Sequence, residues 1–305
     1  MKTRKSGVTI IAALAILALV LPGPSNAADP RLVLQITVDQ LRGDLPGRYA
    51  DRLGEGGFRY LMEKGTWYTD AHYQHANTET AVGHATLATG ADPSRHGIVA
   101  NDWIDQETGA FVYNTEDDRQ HIIGKEAKAH EGVSPRNLVA STISDEMVVH
   151  NGGRSRAFSV SVKDRGAISM AGHSGTAYWF SKAGGEFVTS TYYLDQYPDW
   201  VNVFNATKPA QQFAGTEWQL LHDRDTYLFG DSDDRPWETD VGGFGRTFPH
   251  SFGDGSSRYF TTWLTLSPPG DRLVLDFAKQ ALLGEQLGQD DVTDYLAVSF
   301  SSTGH

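Results

Sequence analysis

The sequence predicts an α/β fold, with a largely parallel sheet, helices on both faces and an aromatic-rich cap inserted into the chain. Runs of apolar and β-branched residues are typical of strands buried in a parallel sheet, and they occur at residues 31–40, 156–162 and 294–302. Segments with helical periodicity lie between these runs. The composition, 39% hydrophobic and 21% charged over 305 residues, is that of a globular protein with a sizeable core.

Residues 1–27 are predicted to be an export signal rather than part of this fold. A basic start with Lys2, Arg4 and Lys5 precedes a short apolar run and a small-residue cleavage site. A membrane anchor is the alternative, but the apolar run is shorter than the roughly 20 residues that a spanning helix needs. Because the chain contains no cysteine, disulfides cannot stabilise it. We therefore expect a periplasmic or secreted protein with no stable membrane anchor.

The net charge of the chain is −12, and loss of residues 1–27 would remove three cationic and no acidic residues, which leaves a charge near −15. Such an acidic protein is poorly suited to bind nucleic acid or an anionic membrane. An anionic substrate would have to be met by a local cluster of positive charge. We expect a monomer whose partners are small molecules.

The first strand run ends on Asp39. Binding sites in open α/β sheets lie beyond the carboxyl ends of the strands, so Asp39 is a candidate metal ligand or acid/base group. An aspartate that caps the following helix is the alternative. Residues 58–64 then have a helical pattern that Gly65 ends.

The segment 77–101 is the centre of the predicted site. Thr78 and Thr80 lie at the start of a small-residue helical pattern, where a threonine hydroxyl can cap the helix or face a phosphate at its positive end. A plain helix cap is the alternative for both. A second helical pattern covers residues 134–149, with apolar side chains on one face.

The strand run at 156–162 leads directly to Lys163, Asp164 and Arg165, at the same sheet edge as Asp39. A lysine supplies a compact positive charge and an arginine a planar pair of donors, and together they can hold the free oxygens of a terminal phosphate. A solvated charged turn after a strand is the alternative.

Residues 171–292 differ in character from the rest of the chain and contain five of its seven tryptophans. We predict a strand at 190–194, an irregular aromatic stretch at 197–205 and an amphipathic helix at 271–287. This segment is interpreted as a cap inserted over the site, and more of the same domain is the alternative. The core would then comprise residues 28–170 and 293–305, incomplete at its C-terminal end.

Seven segments, taken together, resemble the alkaline phosphatase superfamily, and within it the PafA-type zinc-dependent phosphate monoesterases of bacteria. They occur in the family's order and are TVDQLR (37–42), ETAVGH (79–84), HGIVANDW (96–103), SPRNL (134–138), SVKDRGA (161–167), TSTYY (189–193) and YLAVSFSS (295–302). The resemblance implies an alkaline-phosphatase-like fold and a hydrolase with two zinc ions and a covalent phosphothreonine intermediate. It does not select Thr78.

The resemblance also implies roles for individual residues. Asp39 would match the family's first zinc-binding carboxylate, and Thr80 would match the nucleophile, which is also a zinc ligand. Asn101, Lys163 and Arg165 would bind phosphate oxygens. The lysine and arginine would favour monoesters, because a dianionic monoester presents more charge and more free oxygens than a diester.

The chain departs from the family pattern after the last strand. The family has a Thr-Asp-x-x-Gly-His segment that supplies zinc ligands, whereas here Thr303 is followed by Gly304 and His305. Asp39 and Thr80 alone cannot hold two ions, so we expect either a truncated copy of a working phosphatase or a chain that has lost catalysis. His305 could be the family histidine or an unrelated residue. A phosphodiesterase or nucleotide pyrophosphatase, and a non-catalytic phosphate-binding protein, are the alternative functions.

Overall fold

A computed structural model describes residues 29–304. The strands are β1 (Leu32–Val38), β2 (Asp102–Ile104), β3 (Phe111–Tyr113), β4 (Ala157–Ser161), β5 (Thr176–Ser181), β6 (Glu186–Val188), β7 (Glu217–Trp218), β8 (His250–Ser251) and β9 (Asp294–Phe300). The helices are α1 (Leu45–Arg48), α2 (Gly57–Lys64), α3 (Thr80–Thr89), α4 (Pro93–His96), α5 (Ile143–His150), α6 (Asp164–Ala171), α7 (Asp199–Ala206), α8 (Phe260–Thr265) and α9 (Pro268–Gly284). The predicted export signal and His305 lie outside the described residues.

A five-stranded sheet in the order β1-β9-β4-β5-β6 forms the centre of the molecule. The first four of these strands are parallel, and β6 pairs antiparallel with β5. Ser299 of β9 is level with Thr37 of β1 and with Ser161 of β4. The carboxyl ends of these three strands therefore meet at one edge, where the sequence predicts the site.

Helices cover both faces of the sheet. On one face α9 packs against β4 and β9, and Phe277 and Leu273 are fully buried in the largest apolar cluster. On the other face α6 packs against β4 and β5, and α3 packs on α6. The predicted fold class is confirmed. Among the described residues, no helix combines the length and the apolar character that crossing a bilayer requires.

Strand β1 differs from its prediction as a buried strand. It is the edge strand of the sheet, and its only partner among the described strands is β9. Leu34 and Ile36 are 52% and 50% exposed, whereas Leu32 of the same strand packs against the largest apolar cluster. An apolar run predicts a strand, but the position of that strand in the sheet depends on its neighbours.

The segment 171–292 contributes to the sheet as well as covering it. Strands β5 and β6 both fall within it, and β5 is a hydrogen-bonded neighbour of β4. Helix α9, which also falls within it, packs directly on β4 and β9. The predicted boundary at residue 171 therefore separates strands that pair with each other. The small ribbon of β7 and β8 lies outside the main sheet.

Three local predictions in and before this segment were wrong. Residues 190–194 form turns rather than a strand, since Ser190 makes only an isolated bridge to Ile122. Residues 197–205 are mostly helical, because α7 begins directly after Pro198 and packs on α9. The predicted helix at 134–149 begins only at Ile143, since the backbone before it bonds to other loops, as in the Ser134 N–H to Thr115 carbonyl bond.

Candidate active site

Helix α3 places Thr80 at its first residue. The helix consists largely of small residues, which lets it pack closely on α6, and it ends at Gly90 in a left-handed conformation with φ of 66°. The first N–H groups of a helix lack partners within the helix and carry partial positive charge. Thr80 is only 8% exposed, so its hydroxyl lies at this positive end in a largely buried setting.

Thr80, Asp39 and Lys163 contact one another. The Thr80 hydroxyl donates to Asp39 Oδ2 over 3.1 Å, and Lys163 Nζ donates to the same oxygen over 2.8 Å. Lys163 Nζ also lies 3.4 Å from Thr80 Oγ1 and donates to the carbonyl of Gly304. Asp39 directly follows β1, Lys163 precedes α6 after the end of β4, and Thr80 begins α3. The shared carboxyl edge of β1 and β4 brings Asp39 and Lys163 together with Thr80.

The two charges of this cluster influence each other. Burial alone raises the pKa of the Asp39 carboxyl, but the hydrogen bond and charge of Lys163 outweigh it and hold that pKa below its ordinary value. Burial lowers the pKa of the Lys163 ammonium, and Asp39 offsets part of this effect. The cluster is thus a buried ion pair next to a hydroxyl, which is a setting in which charges interact strongly.

Asn101 lies beside the start of α3, where a hydrogen bond fixes the orientation of its side-chain amide. Its Oδ1 accepts from the Ala81 N–H over 3.0 Å, which satisfies one of the unpaired donors of the helix. Because the oxygen is engaged in this way, the amide NH2 group is turned away from the helix, and no described residue accepts from it. The Glu79 carboxylate accepts from the Asn101 backbone N–H over 2.6 Å.

Arg165 does not contact Thr80 directly. It follows Lys163 at the first turn of α6, and its Nη1 lies 3.4 Å from the Tyr113 hydroxyl. Its Nε is buried and has no hydrogen-bond partner among the described residues. A buried donor without a partner is costly, and an oxyanion ligand would satisfy it. Arg165 and Asn101 therefore each have an N–H group that could donate a hydrogen bond to a phosphate oxygen.

His84 lies one helical turn after Thr80, and both of its ring nitrogens form hydrogen bonds. Nδ1 donates to the Thr80 carbonyl over 2.7 Å, and Nε2 accepts from the Ser299 hydroxyl over 2.7 Å. Burial lowers the pKa of this imidazole. These two bonds link the first turn of α3 to the end of β9. They also leave neither ring nitrogen available to a metal ion. This role was not predicted, although His84 closes one of the family segments.

The described residues fit part of a zinc site. Asp39 and Thr80 bring two oxygen donors to within 3.1 Å of each other, whereas zinc sites use three or four protein ligands. Over residues 29–304, the one group of three His, Asp or Glu side chains with ligand atoms within 4.8 Å is Glu116, Asp118 and His130, on the loop after β3. This group does not include Asp39. A zinc ion at Asp39 and Thr80 would need further donors.

Comparisons with known proteins identify the family of the chain. The family model "Type I phosphodiesterase / nucleotide pyrophosphatase" matches residues 33–305. The alkaline phosphatase PhoV of Synechococcus elongatus is 38% identical over 285 residues, which are 92% of this chain and 51% of PhoV. The alkaline phosphatase PafA of Elizabethkingia meningoseptica is 37% identical over 280 residues, 90% of this chain and 51% of PafA.

A crystal structure of wild-type alkaline phosphatase PafA superimposes with a TM-score of 0.84 at 37% identity, covering 90% of this chain and 53% of that one. The chain spans about half the length of the curated relatives it matches. The similarity of sequence and of fold confirms the resemblance that the seven segments predict. The chain belongs to the type I phosphodiesterase / nucleotide pyrophosphatase family of the alkaline phosphatase superfamily.

Proposed function

We propose that this chain provides the nucleophile and the phosphate-binding residues of an exported, zinc-dependent phosphomonoesterase. Its substrates would be small phosphate esters, and Thr80 would form a phosphothreonine intermediate. The observation that supports this most directly is the position of the Thr80 hydroxyl at the N-terminus of α3, in contact with Asp39 and Lys163. Two of its relatives, PhoV and PafA, are alkaline phosphatases.

The phosphate group would be bound by donors from two sides. The start of α3 and the Asn101 amide would contact oxygens on one side, and Lys163 and Arg165 would contact them on the other. Such donors stabilise the charge that spreads over the equatorial oxygens during phosphoryl transfer. Because Lys163 is paired with Asp39 in this structure, binding of phosphate would give its ammonium a second anionic partner.

Thr80 would lose its hydroxyl proton as Oγ1 bonds to phosphorus, the P–O bond to the alcohol would break, and the departing oxygen would take up a proton from water. The proton of the hydroxyl already points at Asp39 Oδ2. Water would cleave the phosphothreonine in a second displacement, which returns the threonine and releases phosphate. Zinc held partly by Asp39 and Thr80 would supply Lewis acidity that makes a threonine hydroxyl nucleophilic at neutral pH.

A phosphodiesterase or nucleotide pyrophosphatase is the second candidate, because the matching family model carries that description. The two candidate functions differ in how strongly they depend on the positive charges of Lys163 and Arg165. A diester has one negative charge and fewer free oxygens than a monoester. Loss of a positively charged side chain that binds the phosphate should therefore impair monoester cleavage more than diester cleavage.

The test compares hydrolysis of p-nitrophenyl phosphate and bis(p-nitrophenyl) phosphate in the presence of zinc. Arg165→Ala is expected to lower monoester turnover at least about tenfold more than diester turnover, since hydrogen bonds to charged groups contribute about 1.5–3 kcal/mol. Lys125→Ala, which removes an exposed cation paired with Glu186, is the matched control. Equal losses on both substrates would favour the diesterase. Phosphate binding that survives a strong chelator, without turnover in zinc, would favour a non-catalytic binder.

A further inference from the structure

Tyr113 joins two segments of the candidate site that are distant in sequence. It is the last residue of β3, and its hydroxyl donates to Asp164 Oδ1 over 2.7 Å. The same hydroxyl oxygen is 3.4 Å from Arg165 Nη1, from which it accepts a long hydrogen bond. Asp164 Oδ1 also accepts from the Arg165 backbone N–H over 2.8 Å. The Tyr113 hydroxyl thus contacts the Arg165 guanidinium directly and is linked to the Arg165 backbone through Asp164.

The hairpin that carries Tyr113 also holds Asn101. Tyr113 pairs with Asp102 across β2 and β3. The next residue, Asn114, donates to the Asn101 carbonyl through its backbone N–H over 3.1 Å and its side chain over 2.6 Å. The hairpin therefore fixes Asn101 at one point and Arg165 at another. Its geometry therefore contributes to the spacing of the Asn101 and Arg165 side chains, for which a phosphate-binding role is proposed.

The direction of the hydrogen bonds follows from the chemistry of the groups. Burial, together with the charge of Asp164, raises the pKa of the Tyr113 phenol above its ordinary value, so the hydroxyl keeps its proton. That proton goes to the carboxylate, and the oxygen is left to accept from the guanidinium. A phenylalanine at this position would preserve the ring and lose both bonds.

We propose that Tyr113 is a positioning residue that orients the Arg165 guanidinium relative to Asn101, so that the buried Nε–H of Arg165 faces the phosphate. The inference rests on the proposed phosphate-binding role of Arg165. It extends that role to a residue 52 positions away, on a hairpin outside the central sheet. Tyr113 itself does not touch the phosphate, and its effect is transmitted through Arg165.

The first experiment observes the Arg165 side chain directly by NMR. Because Nε is buried, its N–H signal should exchange slowly with solvent, and Arg165→Lys assigns the signal by removing it. Tyr113→Phe is expected to speed this exchange at least about fivefold, the effect of losing one ordinary hydrogen bond. Tyr295→Phe is the matched control. It removes a buried hydroxyl bonded to Gln35 at the opposite end of the sheet. An unchanged Arg165 signal in Tyr113→Phe would overturn the proposal.

The second experiment measures the affinity for inorganic phosphate by calorimetry in a double-mutant cycle. Tyr113→Phe is expected to weaken binding about fivefold to tenfold in the wild-type background and to have no effect in Arg165→Ala, because its effect acts through the arginine. Additive losses would overturn positioning as the mechanism. If Arg165→Ala leaves phosphate affinity unchanged, the proposed role of Arg165 fails, whereas the NMR result still decides whether Tyr113 orients it.

Discussion

The Asn101 side chain has one observed contact and one proposed contact, and substitutions can separate the two. Its oxygen caps the Ala81 N–H at 3.0 Å, and its NH2 group is proposed to donate to phosphate. Asn101→Ala removes both, whereas Asn101→Asp keeps an oxygen for Ala81 and replaces the donor by a second oxygen. The pair of variants therefore distinguishes a purely structural residue from one that also binds the ligand.

The expected magnitudes follow from these contacts. Loss of the cap in Asn101→Ala should lower the free energy of unfolding by about 1 kcal/mol. Loss of the donor should weaken phosphate binding by about 1.5–3 kcal/mol, or roughly 10-fold to 150-fold. Asn101→Asp should retain the wild-type stability to within about 0.5 kcal/mol, because an acidic cap suits a helix N-terminus. It should bind phosphate more weakly still, since two negative groups would face each other.

Urea denaturation measures the stability and calorimetry with inorganic phosphate measures the affinity, both at pH 7. Asn202→Ala, which removes an exposed asparagine bonded to the Tyr197 carbonyl, is the control and should leave phosphate affinity unchanged. The reasoning is refuted if Asn101→Asp binds phosphate as tightly as the wild type. An Asn101→Ala variant with unaltered stability would refute the capping role.

Three further predictions concern the scaffold of the site. Burial alone would raise the pKa of Asp145, but hydrogen bonds from His173 and from the start of α5 lower it to about 2. The ionised Asp145 carboxylate therefore stabilises the folded chain above pH about 4, and this contribution is lost as the pH falls towards 2. Asp145→Asn should therefore lower the unfolding free energy by about 2 kcal/mol at pH 7 and progressively less below pH about 4 in urea titrations. Gly132→Ala should destabilise the chain by more than Gly54→Ala in the same assay, because a Cβ at Gly132 would meet backbone oxygens at 2.0 and 2.4 Å, whereas a Cβ at Gly54 would meet no atom within 4 Å. His84→Asn keeps a donor for the Thr80 carbonyl and should therefore have a higher melting temperature than His84→Ala. Equal melting temperatures would show that the hydrogen bond to this carbonyl does not contribute to stability.

The sequence was sufficient to predict the strands that carry the site and the edge at which they meet. Asp39 and Lys163 each follow an apolar run, and the ends of parallel strands share one edge whatever their order. The order itself was not predictable, because the same apolar pattern suits a central strand and the edge strand β1. The predicted helix at 134–149 failed because periodicity does not reveal that Ser134 bonds to Thr115 on another loop.

The contacts that hold the predicted site residues in place were harder to predict than the positions of those residues in the fold. Tyr113 is one tyrosine among twelve, and its relation to Arg165 exists only once a hairpin places them in contact. His84 was recognised as part of a segment, yet its link to Ser299 spans 215 positions. Contacts of this kind are set by tertiary packing, and residue type and local spacing carry little information about them.

The most direct test of the central claim is to look for phosphate on Thr80. The chain is incubated with zinc and p-nitrophenyl phosphate, quenched in acid, and analysed by mass spectrometry of the peptide that contains Thr78 and Thr80. We predict one added phosphoryl group, assigned by fragmentation to Thr80, that is retained in Thr78→Val and absent in Thr80→Val. Hydrolysis of the ester at the same rate by Thr80→Val, or a phosphoryl group on Thr78, would contradict the account.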